Sequence, residues 1–174
     1  MNIAIQEATV DLADSFRQTL DAVARERRYL LFLEAPPLEA TRRFVAQVRA
    51  NGGIQFFAVD AGRVVGWCDI LRREPEGCRH AGHLGIGLLP EYRGRGLGPR
   101  LLTAALAAAP ARGFTRIELE VFASNTTALA LYRKAGFVEE GRKRQARFLD
   151  GVYDDFVLMA RVRPAPGLAG GSPP

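Results

Sequence analysis

The chain contains few of the residues that build metal and disulfide sites. Among its 174 residues there are two cysteines and two histidines. Cys68 and Cys78 form no C-x-x-C pair, so we expect reduced thiols and not a disulfide framework. Around His80 and His83 no cysteine or acidic residue stands at a matching ligand spacing, so we expect no metal centre.

Long hydrophobic runs are also missing. No uncharged stretch approaches the roughly 18 residues that a membrane-spanning helix requires. The N-terminal stretch MNIAIQEATVDLADSF contains neither the basic region nor the apolar core of a signal peptide. We therefore expect a cytoplasmic protein that is neither secreted nor inserted into a membrane.

Aromatic residues are scarce, at 9% of the chain, and they are not interleaved with lysine and arginine. A formal net charge of +5 would suit a nucleic-acid ligand, but no zinc-finger or RNP-type motif accompanies it. A polyanionic small molecule and an ordinary solvated basic surface account for such an excess. We expect no nucleic-acid partner. A basic nucleic-acid-binding module is the weakest alternative, and DNA or RNA binding that weakens steeply with salt would be its signature.

The overall composition is that of one globular domain. With 48% hydrophobic and 25% charged residues, the chain is long enough for one well-packed core and short for two. We predict a single domain over residues 1–163. Residues 164–174 are rich in proline, glycine, alanine and serine, which predicts a disordered tail.

Residues 83–106, HLGIGLLPEYRGRGLGPRLLTAAL, predict a strand, a turn and a helix. The apolar run before Pro90 is too short and glycine-rich for a helix, and Gly85 and Gly87 predict a bulge or a close backbone approach. After Gly98 apolar residues recur at helical spacing. The turn between them, residues 93–98, is named the glycine turn. Its three alternate glycines let N–H groups converge beside the positive end of a helix, which favours phosphate.

The spacing of the glycine turn separates three kinds of phosphate site. A P-loop needs Gly-Lys followed by Ser or Thr, a Rossmann turn needs G-x-G-x-x-G, and neither occurs here. A glycine-rich turn without a ligand is a further alternative. The pattern Arg93-x-x-Gly96-x-Gly98 resembles the pyrophosphate loop of the GNAT acetyltransferases, whose ligand is acetyl-coenzyme A. A second stretch, residues 116–137, resembles the fifth strand and fourth helix of that family, and the whole resemblance covers residues 2–163.

The resemblance implies a fold and a set of cofactor contacts. The implied fold is of the α/β (α+β) class: a mixed, mostly antiparallel seven-stranded sheet with about four helices, splayed between its fourth and fifth strands. In the family the pantetheine arm of acetyl-coenzyme A enters this gap, and a backbone N–H near Leu88 would face the acetyl carbonyl. The residues implied in cofactor binding are Ile86, Gly87, Leu88, Arg93, Gly94, Arg95, Gly96, Leu97, Gly98, Pro99, Asn125 and Tyr132.

Two side chains are candidates for the general base. Alternation along the fifth strand places Glu118 and Glu120 on one face. Glu120 matches the base of the ribosomal-protein alanine acetyltransferase branch, and a structural ion pair with Arg95 or Arg116 is the alternative. His83 is the second candidate because a histidine accepts a proton near neutral pH, although a lone histidine on a strand is more often merely packed.

The fourth helix supplies the candidate general acid. Asn125, Leu129 and Tyr132 share one helical face, and the resemblance points that face at the cofactor. Tyr132 could protonate the departing thiolate, and a tyrosine that only anchors the helix is the alternative. Asn125 matches a pantetheine contact. Ser124, Asn125 and Thr126 stand at the start of the helix, where any of them could be the N-cap, so Asn125 could fill both roles.

The resemblance implies transfer of an acetyl group from acetyl-coenzyme A to a primary amine of an amino acid or a related small molecule. Neither cysteine lies in the motifs, so we expect direct attack in a ternary complex without a covalent enzyme intermediate. The alternatives are acetylation of a protein N-terminus and a coenzyme A-binding regulator without turnover, and retention of Glu120 and Tyr132 argues against the regulator. The expected partner is a small-molecule amine, and a homodimer is left open.

Overall fold

The computed structural model describes residues 3–164, so the predicted tail lies outside the described residues apart from Pro164. Within this range the chain forms seven strands and four α-helices. In chain order they are β1 (Ala4–Glu7), α1 (Ala13–Arg25), α2 (Leu38–Ala50), β2 (Ile54–Asp60), β3 (Arg63–Arg72), β4 (Ala81–Leu88), α3 (Leu97–Ala108), β5 (Arg116–Phe122), α4 (Thr126–Lys134), β6 (Val138–Leu149) and β7 (Val152–Val162).

The seven strands form one mixed sheet with the order β1-β2-β3-β4-β5-β7-β6. Neighbouring strands are antiparallel except β4 and β5, which are parallel. The parallel pairing ends where His83 lies opposite Glu118, and beyond it residues 84–88 and 119–122 are not paired with each other. We name this gap the sheet opening. The predicted fold, including the splay between the fourth and fifth strands, is therefore confirmed.

Helices cover both faces of the sheet and bury two hydrophobic clusters. Leu101 and Leu102 of α3 belong to the larger cluster, on the face that α3 and α4 cover. On the opposite face, which we name the α1–α2 face, Phe16 stacks on Phe57 with ring centroids 4.9 Å apart. Burial of each such side chain contributes about 1.5–3 kcal/mol to stability. The sheet is thus held rigidly from both sides.

The α1–α2 face also carries polar side chains near the sheet opening. Trp67 of β3 belongs to the cluster on this face and lies opposite Gly87 of β4. Residues two apart on a strand face the same way, so Gly85 and His83 share this face. Glu118, opposite His83 on β5, shares it as well.

Gly85 and Gly87 make room for side chains of β3. A Cβ at Gly87 would stand 2.2 Å from the Trp67 ring, and one at Gly85 would stand 2.9 Å from Oδ1 of Asp69. The pairing of β3 with β4 runs without a register shift. Of the two predicted alternatives, a bulge is therefore not found in the pairing with β3. The close approach is made by side chains that lean across β4, which explains why glycine is needed there.

Candidate active site

The glycine turn connects β4 to α3 with two glycines in the left-handed region. Gly94 has φ 71° and Gly96 has φ 76°. A Cβ at either position would meet nothing within 4 Å, so the backbone conformation requires glycine and the available space does not. Between them, Arg95 holds its guanidinium 5.8 Å from the centroid of the Tyr92 ring.

The N-terminus of α3 is suited to an anion. Among the described residues no acceptor is found for the backbone N–H groups of Gly96, Leu97 and Gly98. The first turn of α3 carries no acidic residue, and Pro99 has no N–H that needs a partner. Leu97 and Gly98 are buried, which anchors the start of the helix. Free N–H groups and the positive end of the helix dipole together favour a phosphate group here.

The side chain of Arg93 turns into the protein. It donates hydrogen bonds of 3.0 and 2.8 Å to the carbonyl oxygen of Leu88 and one of 2.8 Å to Glu26, and it lies 4.7 Å from the Tyr29 ring centroid. Glu26 raises the pKa of the guanidinium, which stays charged. Arg93 therefore fixes the glycine turn to β4 and to the segment after α1. A cofactor contact of Arg93 stays a prediction, and no sequence pattern pointed to its pairing with Glu26.

The edge of β4 lines the sheet opening. Ile86 and Leu88 pack their side chains against the cluster under α3 and α4, while the strand edge that faces β5 is unpaired here. Peptide groups on an unpaired strand edge can bind an extended ligand by β-like hydrogen bonds. The predicted contacts of Ile86, Gly87 and Leu88 with pantetheine stay a prediction that this geometry permits.

Glu120 lies on the α1–α2 face beside the sheet opening. Its Oε1 accepts a hydrogen bond from Nζ of Lys143 at 2.7 Å, and both side chains are partly exposed. Arg116, which the sequence suggested as an ion-pair partner, instead binds Glu118 and Glu140. The expected ion pair thus exists, but its partner is a lysine from β6, 23 positions further along the chain.

His83 is half-buried at the last paired position of β4. Burial and then Arg73 lower the pKa of its imidazole, while the carboxylates of Glu120 and Glu118 act in the opposite direction. The net lowering leaves the imidazole neutral at physiological pH, and the neutral form can accept a proton. Glu118 itself is bound by Arg73 and Arg116. The structure therefore brings His83 and Glu120 together on one face.

Asn125 and Tyr132 lie at the predicted places around α4. Asn125 is the N-cap, and its Oδ1 accepts a hydrogen bond of 3.2 Å from the Ala128 N–H, so the predicted capping role is confirmed. Tyr132 is buried, with its ring centroid 5.8 Å from that of Phe137. Burial, with a smaller effect of Cys68, raises the pKa of the phenol, which keeps its proton. Cofactor contacts of both residues stay predictions.

Cys68 shows how Tyr132 lies relative to the sheet opening. Cys68 is opposite Ile86 in the pairing of β3 with β4, and its thiol is close enough to influence the Tyr132 phenol. The phenol therefore approaches from the α3–α4 side, whereas Glu120 and His83 flank the opening on the α1–α2 face. Within residues 3–164 the Tyr132 hydroxyl makes no hydrogen bond, so it can bond to a ligand.

One charged residue near the opening was not predicted. Asp69 of β3 is 6% exposed, and burial raises the pKa of its carboxyl to about 7. The signal in the sequence is a single aspartate inside the apolar run VVGWCDI, residues 64–70. Burying a carboxylate in such a run costs free energy of folding unless the charge is paired and hydrogen-bonded, so its presence points to a functional role.

Two features are absent from the described residues. No helix between residues 3 and 164 has the length and apolar character needed to cross a bilayer. In the same range, no group of three or more His, Cys, Asp or Glu side chains is arranged to hold a metal ion.

This geometry defines a class of protein. A mixed sheet opens between two parallel strands beside a turn that suits phosphate, with a phenol on one side and a carboxylate on the other. Such an arrangement belongs to acyltransferases that hold an activated acyl group within the sheet. The chain belongs to the acetyltransferase (GNAT) family, whose family model matches residues 16–137.

Relatives with named substrates match parts of the chain. The L-amino acid N-acetyltransferase AaaT of Escherichia coli is 31% identical over 110 residues, which are 63% of this chain and 68% of that protein. The ribosomal protein bS18-alanine N-acetyltransferase of Salmonella typhimurium is 36% identical over 75 residues, 43% of this chain and 51% of that protein. The chain matches only 17% of the length of the mycothiol acetyltransferases of Clavibacter.

Solved structures match over nearly the whole chain. An acetyltransferase of the GNAT family from Streptococcus pneumoniae has a TM-score of 0.87 at 28% identity, covering 92% of this chain and 99% of that one. YncA from Salmonella typhimurium, solved with acetyl-CoA, has a TM-score of 0.89 at 16% identity, covering 100% and 99%. At this low identity, the likeness to YncA shows the fold alone. The predicted family is confirmed.

Proposed function

We propose that this protein transfers the acetyl group of acetyl-coenzyme A to the primary amine of an amino acid or a related small molecule. The observation that carries the proposal is the sheet opening, which leads directly into the glycine turn and lies between Tyr132 and Glu120. The named activity of the Escherichia coli relative supports this class of acceptor.

The glycine turn and the start of α3 would hold the pyrophosphate of acetyl-coenzyme A. The free N–H groups of Gly96, Leu97 and Gly98 supply the donors, and the helix dipole adds a favourable field. The unpaired edge of residues 86–88 would bind the pantetheine arm. The YncA structure, which shares this fold, contains acetyl-CoA, and this supports acetyl-coenzyme A as the co-substrate. The thioester supplies an acetyl group that is already activated for attack.

Acetyl transfer needs a neutral amine, and Glu120 is the proposed base. An ammonium group has no lone pair, so its proton must pass to a base directly or through water. The contact with Lys143 shows that this carboxylate accepts a primary ammonium at 2.7 Å. The ammonium of the acceptor carries the same charge and can replace that of Lys143. Neutral His83 is the second candidate on the same face.

The remaining steps stabilise charge on oxygen and sulfur. Attack by the amine places negative charge on the carbonyl oxygen, and one well-placed backbone N–H lowers such a barrier by about 3 kcal/mol. We assign this role to an N–H near Leu88 at the sheet opening. The carbon–sulfur bond then breaks, and Tyr132 gives its proton to the departing thiolate. Its raised pKa keeps the phenol protonated until that step. The second proton that the amine nitrogen loses as the amide forms passes through water to the phenolate and restores Tyr132.

The acceptor would enter between the segment after α1, residues 26–37, and the tip of the β6–β7 hairpin, residues 148–153. We name this region the acceptor entrance. It exposes apolar side chains, and two of them stack with ring centroids 4.5 Å apart. Such exposed apolar groups are typical of binding sites, which favours an acceptor with an apolar part. They are Leu31, Phe32, Phe148 and Tyr153.

A protein N-terminal amine is the second candidate acceptor. The acceptor entrance is open to solvent, so the amino terminus of an extended peptide could reach Glu120 from the same side. The ribosomal-protein alanine acetyltransferase among the relatives supports this alternative.

Thiol release from acetyl-coenzyme A tests these proposals. The acceptor panel should contain apolar and polar amino acids, their N-blocked forms as controls, and short peptides that begin with alanine. We expect release with free amino acids, fastest with apolar side chains, and none with blocked amines. Release with peptides alone would establish the second candidate. Coenzyme A binding by calorimetry without release would indicate a regulator, and absence of binding would contradict the proposed cofactor site.

A further inference from the structure

Asp69 and Gln55 form a buried polar pair that the steps above do not use. Asp69 of β3 lies directly opposite Gln55 of β2 and, on its other side, opposite Gly85 of β4. Both polar side chains are 6% exposed. A carboxylate and an amide placed inside a core cost free energy unless hydrogen-bond partners compensate them.

The described residues do not fully compensate this pair. The Gln55 amide and the Gly85 backbone approach the carboxylate and partly oppose the effect of burial on its pKa. Within residues 3–164, however, neither polar atom of the Gln55 amide makes a hydrogen bond of normal geometry. Buried polar atoms in this condition usually bind water. Gln55 also lines a separate cavity of about 30 Å³ between α2, the end of β1 and the end of α3, and Asp69 is not part of its lining.

Asp69 stands next to the sheet opening. The pairing of β4 with β5 ends at His83, so Gly85 is the next β4 residue on the α1–α2 face. Because Gly85 has no side chain, the Asp69 carboxylate extends over it and lies 2.9 Å from where a Cβ would stand. Glu120, two residues beyond Glu118 on β5, borders the opening on the same face. Two carboxylates therefore flank the opening, one buried and one exposed.

We infer that Asp69 is a proton-relay residue of the proposed acetyl transfer, a second acceptor beside Glu120 that receives the proton of the acceptor ammonium through a water held by Gln55. The inference rests on the proposed function. The ammonium gives one proton to the water, and the water gives one of its own to the Asp69 carboxylate. The nitrogen keeps the electron pair that attacks the acetyl carbonyl. Asp69 later returns its proton to solvent through the same water.

The charges around Asp69 suit this role. The residues that α1 and α2 bury on this face are threonines and apolar residues, none of them charged. The other ionisable groups of this face lie on β4, β5 and β6 or just after β3. Arg73 pairs with Glu118 and Lys143 pairs with Glu120, whereas Asp69 responds to burial, Gln55 and Gly85. A carboxyl that changes charge near pH 7 can both hold and release a proton. With the half-buried His83, which makes no ion pair among the described residues, these groups are Glu118, Glu120, Arg73 and Lys143.

Asp69→Asn tests the inference because it removes the proton acceptor and keeps the side-chain shape. With an amine that the wild type acetylates, we expect kcat to fall by about 10²-fold. The KM for acetyl-coenzyme A should not change, and the limb of the kcat pH profile near pH 7 should disappear. His83→Asn removes the imidazole on the same face, and the limb of the kcat pH profile near pH 7 should remain. Glu140→Gln, which removes a carboxylate on β6, is the control with wild-type kinetics.

Gln55→Met gives a second test that leaves the carboxylate in place and applies even if Asp69→Asn does not fold. It should lower kcat by a smaller factor, because the water loses its amide partner. If either folded variant keeps the wild-type kcat and pH profile, the inference is wrong and the proposed function stands. A lower kcat with an unchanged limb of the pH profile near pH 7 would mean that these residues have a structural role, and this result would also overturn the inference. A wild type that releases no thiol with any amine would overturn the proposed function first.

Discussion

Arg27 and Asp150 join the two sides of the acceptor entrance: the guanidinium of Arg27 donates hydrogen bonds of 3.0 and 2.7 Å to the Asp150 carboxylate. The residues are 123 positions apart, one just after α1 and the other at the tip of the β6–β7 hairpin. Arg147 adds a hydrogen bond to the carbonyl oxygen of Arg27. These contacts hold the exposed apolar side chains of both segments next to each other.

Breaking this pair should affect acceptor binding and leave cofactor binding unchanged. With Asp150→Ala we expect the KM for the amine to rise several-fold, because the two segments are no longer held together. The Kd of acetyl-coenzyme A should not change. Glu39→Ala is the matched control, since it breaks another exposed ion pair, to Arg42 on α2, away from the entrance. Steady-state kinetics and calorimetry would check this, and an equal rise of KM in both variants would contradict it.

Removing the Tyr132 hydroxyl should slow turnover without weakening the fold. With Tyr132→Phe we expect kcat to fall by about 10²-fold, because the thiolate loses its proton donor. The melting temperature should not drop, since the hydroxyl has no hydrogen-bond partner among the described residues and its loss leaves no group unsatisfied. Calorimetry should show unchanged acetyl-coenzyme A binding. Unimpaired turnover would exclude Tyr132 as the general acid.

Charge in the glycine turn should abolish cofactor binding. Gly96→Glu places a carboxylate among the N–H groups proposed to bind pyrophosphate, and calorimetry should detect no acetyl-coenzyme A. A non-glycine residue at positive φ also costs about 1–2 kcal/mol, so a control must share that strain. Gly62→Glu does so, because Gly62 has φ 83° and open space around it, in the turn between β2 and β3. This control should bind normally, and normal binding by both variants would refute the placement of the site.

Asp69 should make folding stability depend on pH. Its carboxyl has a pKa of about 7 in the folded protein against an ordinary 3.8, so the folded state binds its proton more tightly. The resulting stability is complete below about pH 4 and is lost as the pH rises through 7. The loss is on the order of 4 kcal/mol. Urea unfolding at pH 5 and pH 8 should show that Asp69→Asn loses less stability over this interval than the wild type. Equal losses of stability in Asp69→Asn and the wild type would contradict the burial of the Asp69 carboxyl.

The sequence predicted local features correctly where the chain itself dictates them. The strand, turn and helix of residues 83–106, the need for glycine in that turn and the helix start at residues 124–126 all follow from backbone sterics and from apolar periodicity within a few residues. The seven-stranded sheet and its opening followed from two motifs that resemble one family. For the glycines of β4 the sequence left a bulge and a close approach open, and only the structure showed a close approach by side chains of a neighbouring strand, Trp67 and Asp69.

What the sequence alone determined is the strand, glycine turn and helix of residues 83–106 and the resemblance to one family. Only the tertiary structure decided how the charged side chains are used: Arg93 turns inward to Glu26, Glu120 binds Lys143, and Asp69 is buried beside Gln55. The physical reason is the separation along the chain of the residues that interact. Backbone conformation depends on neighbours within a turn or strand, whereas ion pairs and burial depend on which distant segments pack together.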